Sequence, residues 1–224
     1  MLNDNRIRII IGHYGSGKTE FAVNYAMKLV DEGKKVALAD LDVVNPYFRS
    51  REKQDILEAK GIRVIGSSLG MKSGADLPAI SASVLAPIQD ESYDVVLDVG
   101  GDSVGARALA RYYSYFKEGN YDMFCVLNAN RPGTRTVEDA MEHIRSIEAA
   151  SRTKVTGIIN NTHLLRDTSI DDVLMGQELA KKVSENLQIP IKYVSALEKV
   201  ARLLPEDIEG YIFPIKMYMR EDWM

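Results

Sequence analysis

Cysteine occurs once in the 224 residues, and so does tryptophan. A single thiol forms no intramolecular disulfide and no cysteine-rich metal site. Cys125 lies in the apolar run 123–127 and reads as a small buried hydrophobe in a strand. The three histidines, His13, His143 and His163, form no spaced cluster, so a zinc site is not expected. No apolar run approaches the roughly 18 residues that span a bilayer, and the first ten residues show no signal-peptide pattern. A cytoplasmic location without a membrane anchor is the expectation. Positive charge is not in excess either. Lys and Arg total 28 against 32 Asp and Glu, a net charge of -4 that sets up no global field for nucleic acid. Repeats, low-complexity stretches and Pro-, Gly- or Ser-rich linkers are missing as well. With 46% hydrophobic residues the chain can bury one sizeable core, and a single domain over 1–224 is expected.

What is present is an alternation. Short apolar runs occur at Ile7–Ile11, Val36–Leu41, Arg63–Ile65, Val95–Val99, Phe124–Leu127, Val155–Ile159 and Ile191–Val194. Stretches with helical spacing lie between them. In the first, Phe21, Ala22, Tyr25, Ala26 and Leu29 share a face, and Gly33 stands where a helix would stop. Between Asp76 and Asp90, Pro78 and Pro87 bracket a short helix at best. Continuous apolar strands alternating with helices predict a parallel sheet covered on both faces, with ligands beyond the carboxyl ends of the strands.

The first strand runs into Gly12-His-Tyr-Gly-Ser-Gly-Lys-Thr19, which fits G-x-x-x-x-G-K-[ST] between a strand and a helix. Glycines let the backbone turn so that successive N–H groups point at phosphate oxygens, and the following helix adds the positive end of its dipole. Gly12, His13, Tyr14, Gly15, Ser16, Gly17, Lys18, Thr19 and the next residue, Glu20, are therefore the candidate nucleotide contacts. Lys18 neutralises phosphate charge, and the Thr19 hydroxyl is a candidate Mg²⁺ ligand.

Acids close two other strands. Asp40 and Asp42 fall on one face of the second strand, a costly pairing unless a cation or a water network uses it. Beside a phosphate loop that use is magnesium and a water nucleophile. Pro46 makes 43–51 a loop able to respond to the nucleotide. The strand Val95–Val99 contains Asp98, a second magnesium candidate, followed by Gly100 and Gly101, whose backbone could approach a γ-phosphate. Asp102 reads as the N-cap of a helix beginning near Val104, in preference to a ligand. Asn160 and Asn161 end the sixth run, where an asparagine either offers a donor and an acceptor to a purine edge or only closes a turn. Arg131-Pro-Gly-Thr134 either shapes the base pocket or is a plain strand-to-helix turn.

The phosphate loop, Asp40-Leu-Asp42 and Asp98-Val-Gly-Gly101 together resemble the ParA/MinD group of P-loop ATPases, the CobQ/CobB/MinD/ParA nucleotide-binding domain, over residues 6 to 165. The resemblance implies an α/β/α fold with a mostly parallel sheet of seven or eight strands, ATP and Mg²⁺ as ligands, and an ATP-dependent homodimer. It also implies roles. Lys18 and Thr19 bind phosphate and magnesium, Asp42 positions the attacking water, Asp98 holds magnesium through water, and Asn160 or Asn161 meets adenine. In that group a second lysine usually follows the first glycine of the loop; here His13 stands in its place, and Arg49 is the candidate substitute cation. The C-terminal stretch 205–224 carries five acids against two bases, unlike a basic membrane-targeting helix.

The expected function is an ATPase switch acting on an unidentified protein partner. A small-molecule kinase or ligase would want an arginine-rich lid, for which Arg49, Arg51, Arg107 and Arg111 are candidates. A non-hydrolysing nucleotide-binding module is the other alternative. No Asn-Lys-x-Asp or Thr-Lys-x-Asp sequence follows the fifth or sixth run, which favours ATP over GTP.

Overall fold

The computed structural model describes residues 2–42, 53–66 and 77–219, with backbone alone for 77–81. Strand β1 (Ile7–Ile11) is buried along its whole length and leads through the phosphate loop into helix α1 (Lys18–Asp31). There follow β2 (Val36–Leu41), α2 (Gln54–Ala59), β3 (Arg63–Ile65), α3 (Leu77–Gln89), β4 (Asp94–Val99) and α4 (Ser103–Leu109). The second half comprises β5 (Tyr121–Leu127), α5 (Val137–Ser151), β6 (Gly157–Asn160), α6 (Ile170–Leu187), β7 (Ile191–Leu197), α7 (Glu198–Ala201) and β8 (Tyr211–Ile215). The loop 43–51, with Arg49, lies outside the described residues.

The eight strands form one sheet in the order β3-β2-β4-β1-β5-β6-β7-β8. Every neighbouring pair is parallel. Alternation along β1 sends Ile7, Ile9 and Ile11 to one face, where they pack with side chains of α4, α5 and α6. Ile10 goes to the other face, against Phe21, Tyr25 and Leu29 of α1. The sheet is thus the middle layer of an α/β/α sandwich, and the order reverses at β1, so the phosphate loop sits at the switch point. Cys125 is fully buried in the first of these cores, and burial pushes its thiol up to about 12.

Several strand bounds shift by a few residues, and two elements depart further from the sequence reading. Helix α3 runs for 13 residues despite its prolines. Pro78 occupies its second position, where no N–H is needed, and Pro87 falls in its last turn. There the carbonyls of Pro87, Ile88, Asp90 and Tyr93 are gathered by the Arg6 guanidinium at 2.7–3.3 Å. The other is β8, an edge strand that contains Pro214 and pairs only with β7 among the described residues. Asp102 does cap α4: its carboxylate accepts from the Gly105 N–H at 2.7 Å.

Candidate functional site

The carboxyl ends of β1, β2 and β4 meet around Lys18 and Thr19. Gly15 and Gly17 take φ of 78° and 83°, a region that side chains disfavour, and so the loop curls and releases α1 at Lys18. Lys18 is 5% exposed, and its Nζ donates to Asp42 Oδ2 at 2.5 Å. The Thr19 hydroxyl donates to Asp98 Oδ2 at 2.7 Å. The Asp42 N–H donates to Asp40 Oδ1 at 3.0 Å, which fixes the two strand-end acids relative to each other.

Three buried carboxylates around one ammonium determine the titration of the site. Burial would lower Lys18, but Asp98, Asp42 and Asp40 outweigh it and hold the ammonium above its ordinary value. Burial, then the charge of Asp98, raises Asp40 to about 7, against the N–H of Asp42 and the charge of Lys18. Asp98 is also raised, by burial first, despite Lys18 and the Thr19 hydroxyl. The site is short of positive charge by construction.

That shortage fits a cation. Asp40 Oδ2, Asp98 Oδ1 and Ser16 Oγ are buried and make no hydrogen bond. Among the described residues no three His, Cys, Asp or Glu side chains converge as a metal-binding group. A hard cation that takes one hydroxyl, water and ligand oxygens needs no such group. Thr19 and Asp98 are the residues that would hold Mg²⁺, which when bound offsets charge on the phosphate oxygens. Asp42, a candidate for both metal and water, is placed against Lys18.

The glycines of the β4–α4 turn bring its backbone against the phosphate loop. A Cβ on Gly101 would come 1.9 Å from the Gly12 carbonyl oxygen, so the turn packs backbone-to-backbone on the phosphate loop. His13 turns toward α5. Its ring meets His143 edge-on at 5.6 Å and lies over Gly133, where a Cβ would come 2.4 Å from Nε2. Burial, with the neighbouring His13 second, lowers His143 to about 4.

Beside the loop opens a cavity of about 330 Å³, lined by Tyr14, Arg131, Asn161, His163, Leu165 and Met217 among others. The structure separates the two asparagines. Asn160 is fully buried against α6: its amide donates to the Val173 carbonyl at 2.9 Å and Gln177 Oε1 at 3.0 Å, and its oxygen accepts from the Thr162 N–H. It faces no base. Asn161 lines the cavity, donates to the Ser16 carbonyl at 2.7 Å and accepts from the Ser195 hydroxyl at 2.8 Å. Arg131 also lines it, with Nε on the Gly15 carbonyl at 3.1 Å. Glu20 lines it too, but its carboxylate accepts from the backbone N–H groups of Tyr218 and Met219.

Sequence reasoning missed Asn128 and Ser195. Asn128 is fully buried; its amide donates to the Gly15 carbonyl at 3.3 Å and its oxygen accepts from the N–H groups of Asn130 and His163. Its place one residue after β5, at the carboxyl edge, was the available signal. Ser195 lies inside β7, 34 positions from Asn161, and nothing local marks it.

The CobQ/CobB/MinD/ParA nucleotide binding domain pattern matches residues 7–212. The signal recognition particle receptor FtsY of Metamycoplasma hominis is 26% identical over 236 residues, covering 98% of this chain and 60% of the relative. The crystal structure of cell division protein FtsY from Thermotoga maritima is similar with a TM-score of 0.60 at 25% identity, over 87% of this chain and 62% of that one. FtsY from Elizabethkingia anophelis in complex with GDP gives 0.51 at 22% identity, over 87% and 58%, a likeness of fold. The chain spans about three fifths of the length of these relatives.

Proposed function

Because the chain belongs to the CobQ/CobB/MinD/ParA nucleotide binding domain family, we propose that it is a Mg²⁺-dependent nucleoside-triphosphatase whose hydrolysis switches its engagement of a protein partner. The observation that carries this reading is the Lys18–Asp42 ion pair beside the Thr19–Asp98 hydrogen bond, both buried at the switch point of the sheet. An arriving triphosphate offers Lys18 stronger partners and releases Asp42, the strand-end carboxylate then available to orient a water molecule. Thr19 and Asp98 hold the magnesium side. A protein partner is supported by Val104, 53% exposed on the first turn of α4, and Tyr113, 50% exposed in the turn that follows that helix.

The nucleotide proposed is ATP. Guanine presents N–H donors at its Watson–Crick edge, which a carboxylate would meet, and the acid lining the cavity, Glu20, is committed to Tyr218 and Met219. GTP is the second reading, favoured by the GDP complex of the similar FtsY. We also propose self-association on ATP, with the charge that a second loop lysine would supply coming from outside the loop. His13 is drawn against its own His143.

Calorimetric titration with ATP and GTP in Mg²⁺ tests the base. Equal or tighter GTP binding removes the ATP assignment. Asp98→Asn should raise the magnesium needed for half-maximal turnover about tenfold or more, and an unmoved requirement counts against the site. Light scattering with ATP, ADP and no nucleotide tests self-association, which an unchanging monomer refutes.

A further inference from the structure

Beyond Ile215 the chain leaves the sheet, and its backbone groups lose their ladder partners. Two side chains of α1 replace them. Asn24 accepts from the Lys216 N–H and donates to the Lys216 carbonyl, both at 2.8 Å. Glu20 accepts from the Tyr218 N–H at 2.6 Å and from the Met219 N–H at 3.1 Å. Being four apart on the helix, the two present their polar ends in a row. They hold the backbone of residues 216, 218 and 219 beside α1, and with it fix the side chains of residues 215, 217 and 219. Those three, Ile215, Met217 and Met219, all line the cavity beside the phosphate loop.

The geometry assigns Glu20 and Asn24 as positioning residues for a nucleobase, through a thioether wall formed by Met217 and Met219. This rests on the phosphate-loop reading above and deepens it. Opposite the loop the cavity is apolar: Leu165, Leu197 and the two methionines offer flat, polarisable contact to a heteroaromatic ring. Met219 packs into the core formed with Phe21 and Ala22 of α1, and beyond that packing a carboxylate one residue after Thr19 accepts two backbone N–H bonds, tying the wall to the phosphate loop. Base and phosphate contacts are thereby built on one helix.

The test separates base from phosphate. Wild type, Glu20→Ala, Glu20→Gln and Met217→Ser are titrated with ATP and with inorganic triphosphate, both in Mg²⁺. Glu20→Ala and Met217→Ser should weaken ATP about tenfold, the scale of losing one ring face of contact, and leave triphosphate affinity unchanged. Glu20→Gln keeps an acceptor oxygen and should retain most of the ATP affinity. Met217→Ser removes none of the hydrogen bonds that Glu20 and Asn24 make, so it decides the matter if Glu20→Ala does not fold. Equal losses for both ligands, or no loss for ATP, overturn the assignment. A wild type that binds neither ligand sinks the phosphate-loop reading itself, and this inference with it.

Discussion

The phosphate side and the base side of the cavity are built by opposite means. On the phosphate side, charged residues at three adjacent strand ends are buried against one another: Lys18, Asp40, Asp42 and Asp98 are all under 10% exposed. The three acids stand at the ends of apolar strands, and Lys18 opens the helix after the loop. On the base side there is little charge. Asn161 is set by Ser195, the wall by Glu20 and Asn24, and the partners lie 34 to 199 positions apart in sequence. The first arrangement stores electrostatic stress that a ligand relieves. The second is a shaped, mostly apolar surface held by neutral or backbone hydrogen bonds, and it should respond to substitution more gently.

The comparison breaks first at Lys18. Lys18→Ala should lower affinity for ATP and for inorganic triphosphate alike by at least about 100-fold, the scale of a lost charge-assisted contact. It should also lower the melting temperature without ligand, since three buried acids lose their cation. Calorimetry and thermal unfolding check both, and full affinity would end the phosphate-loop assignment. Asp42→Ala should retain nucleotide while turnover falls by about 10², as for a lost nucleophile-positioning group. Lost binding with normal turnover per bound nucleotide would make Asp42 a ligand instead.

His143, packed on His13 of the phosphate loop, gives that side a titrating support. Its folded value of about 4 lies below the ordinary 6.5, so the native state binds fewer protons than the unfolded chain. The stability it contributes is present above pH 6.5 and is lost as pH falls toward 4, by up to about 3 kcal/mol. His143→Phe should flatten that segment of the stability profile in urea titrations, and an unchanged slope would contradict the assignment. The smallest effect is expected on the base side. Ser195→Ala frees the Asn161 amide to turn and should weaken ATP only about threefold to fivefold, the worth of one neutral hydrogen bond. Triphosphate affinity should not change. A loss of both would mean that Asn161 acts through its bond to the Ser16 carbonyl.

The same contrast explains what could be read from the sequence. Strands β1, β2 and β3 were legible to the residue, because buried parallel strands are unbroken apolar runs. That Lys18, Thr19, Asp42 and Asp98 would stand together was legible because a loop motif and a strand end are local events. Strand β8 was not: Tyr211–Ile215 is short, carries Pro214 and, among the described residues, pairs with β7 alone. Helix α3 was under-read because proline stops a helix only in its interior. Asn160 and Asn161 looked equivalent, and alternation alone distinguished them, sending one to α6 and the other to the cavity. Glu20 was read as a nucleotide contact by adjacency to Thr19, and no local pattern discloses that its carboxylate reaches across to residue 218.

The contact between Gly101 and the Gly12 carbonyl has a mechanical consequence. Two bare backbones pressed together have no rotamer to adjust and no soft side chain to compress, so the joint works like a gear tooth in mesh. Helix α4 starts two residues later, capped by Asp102, with Val104 exposed on its first turn. On the function proposed above, any movement of the phosphate loop would be passed through this joint to Val104 as a tilt of α4.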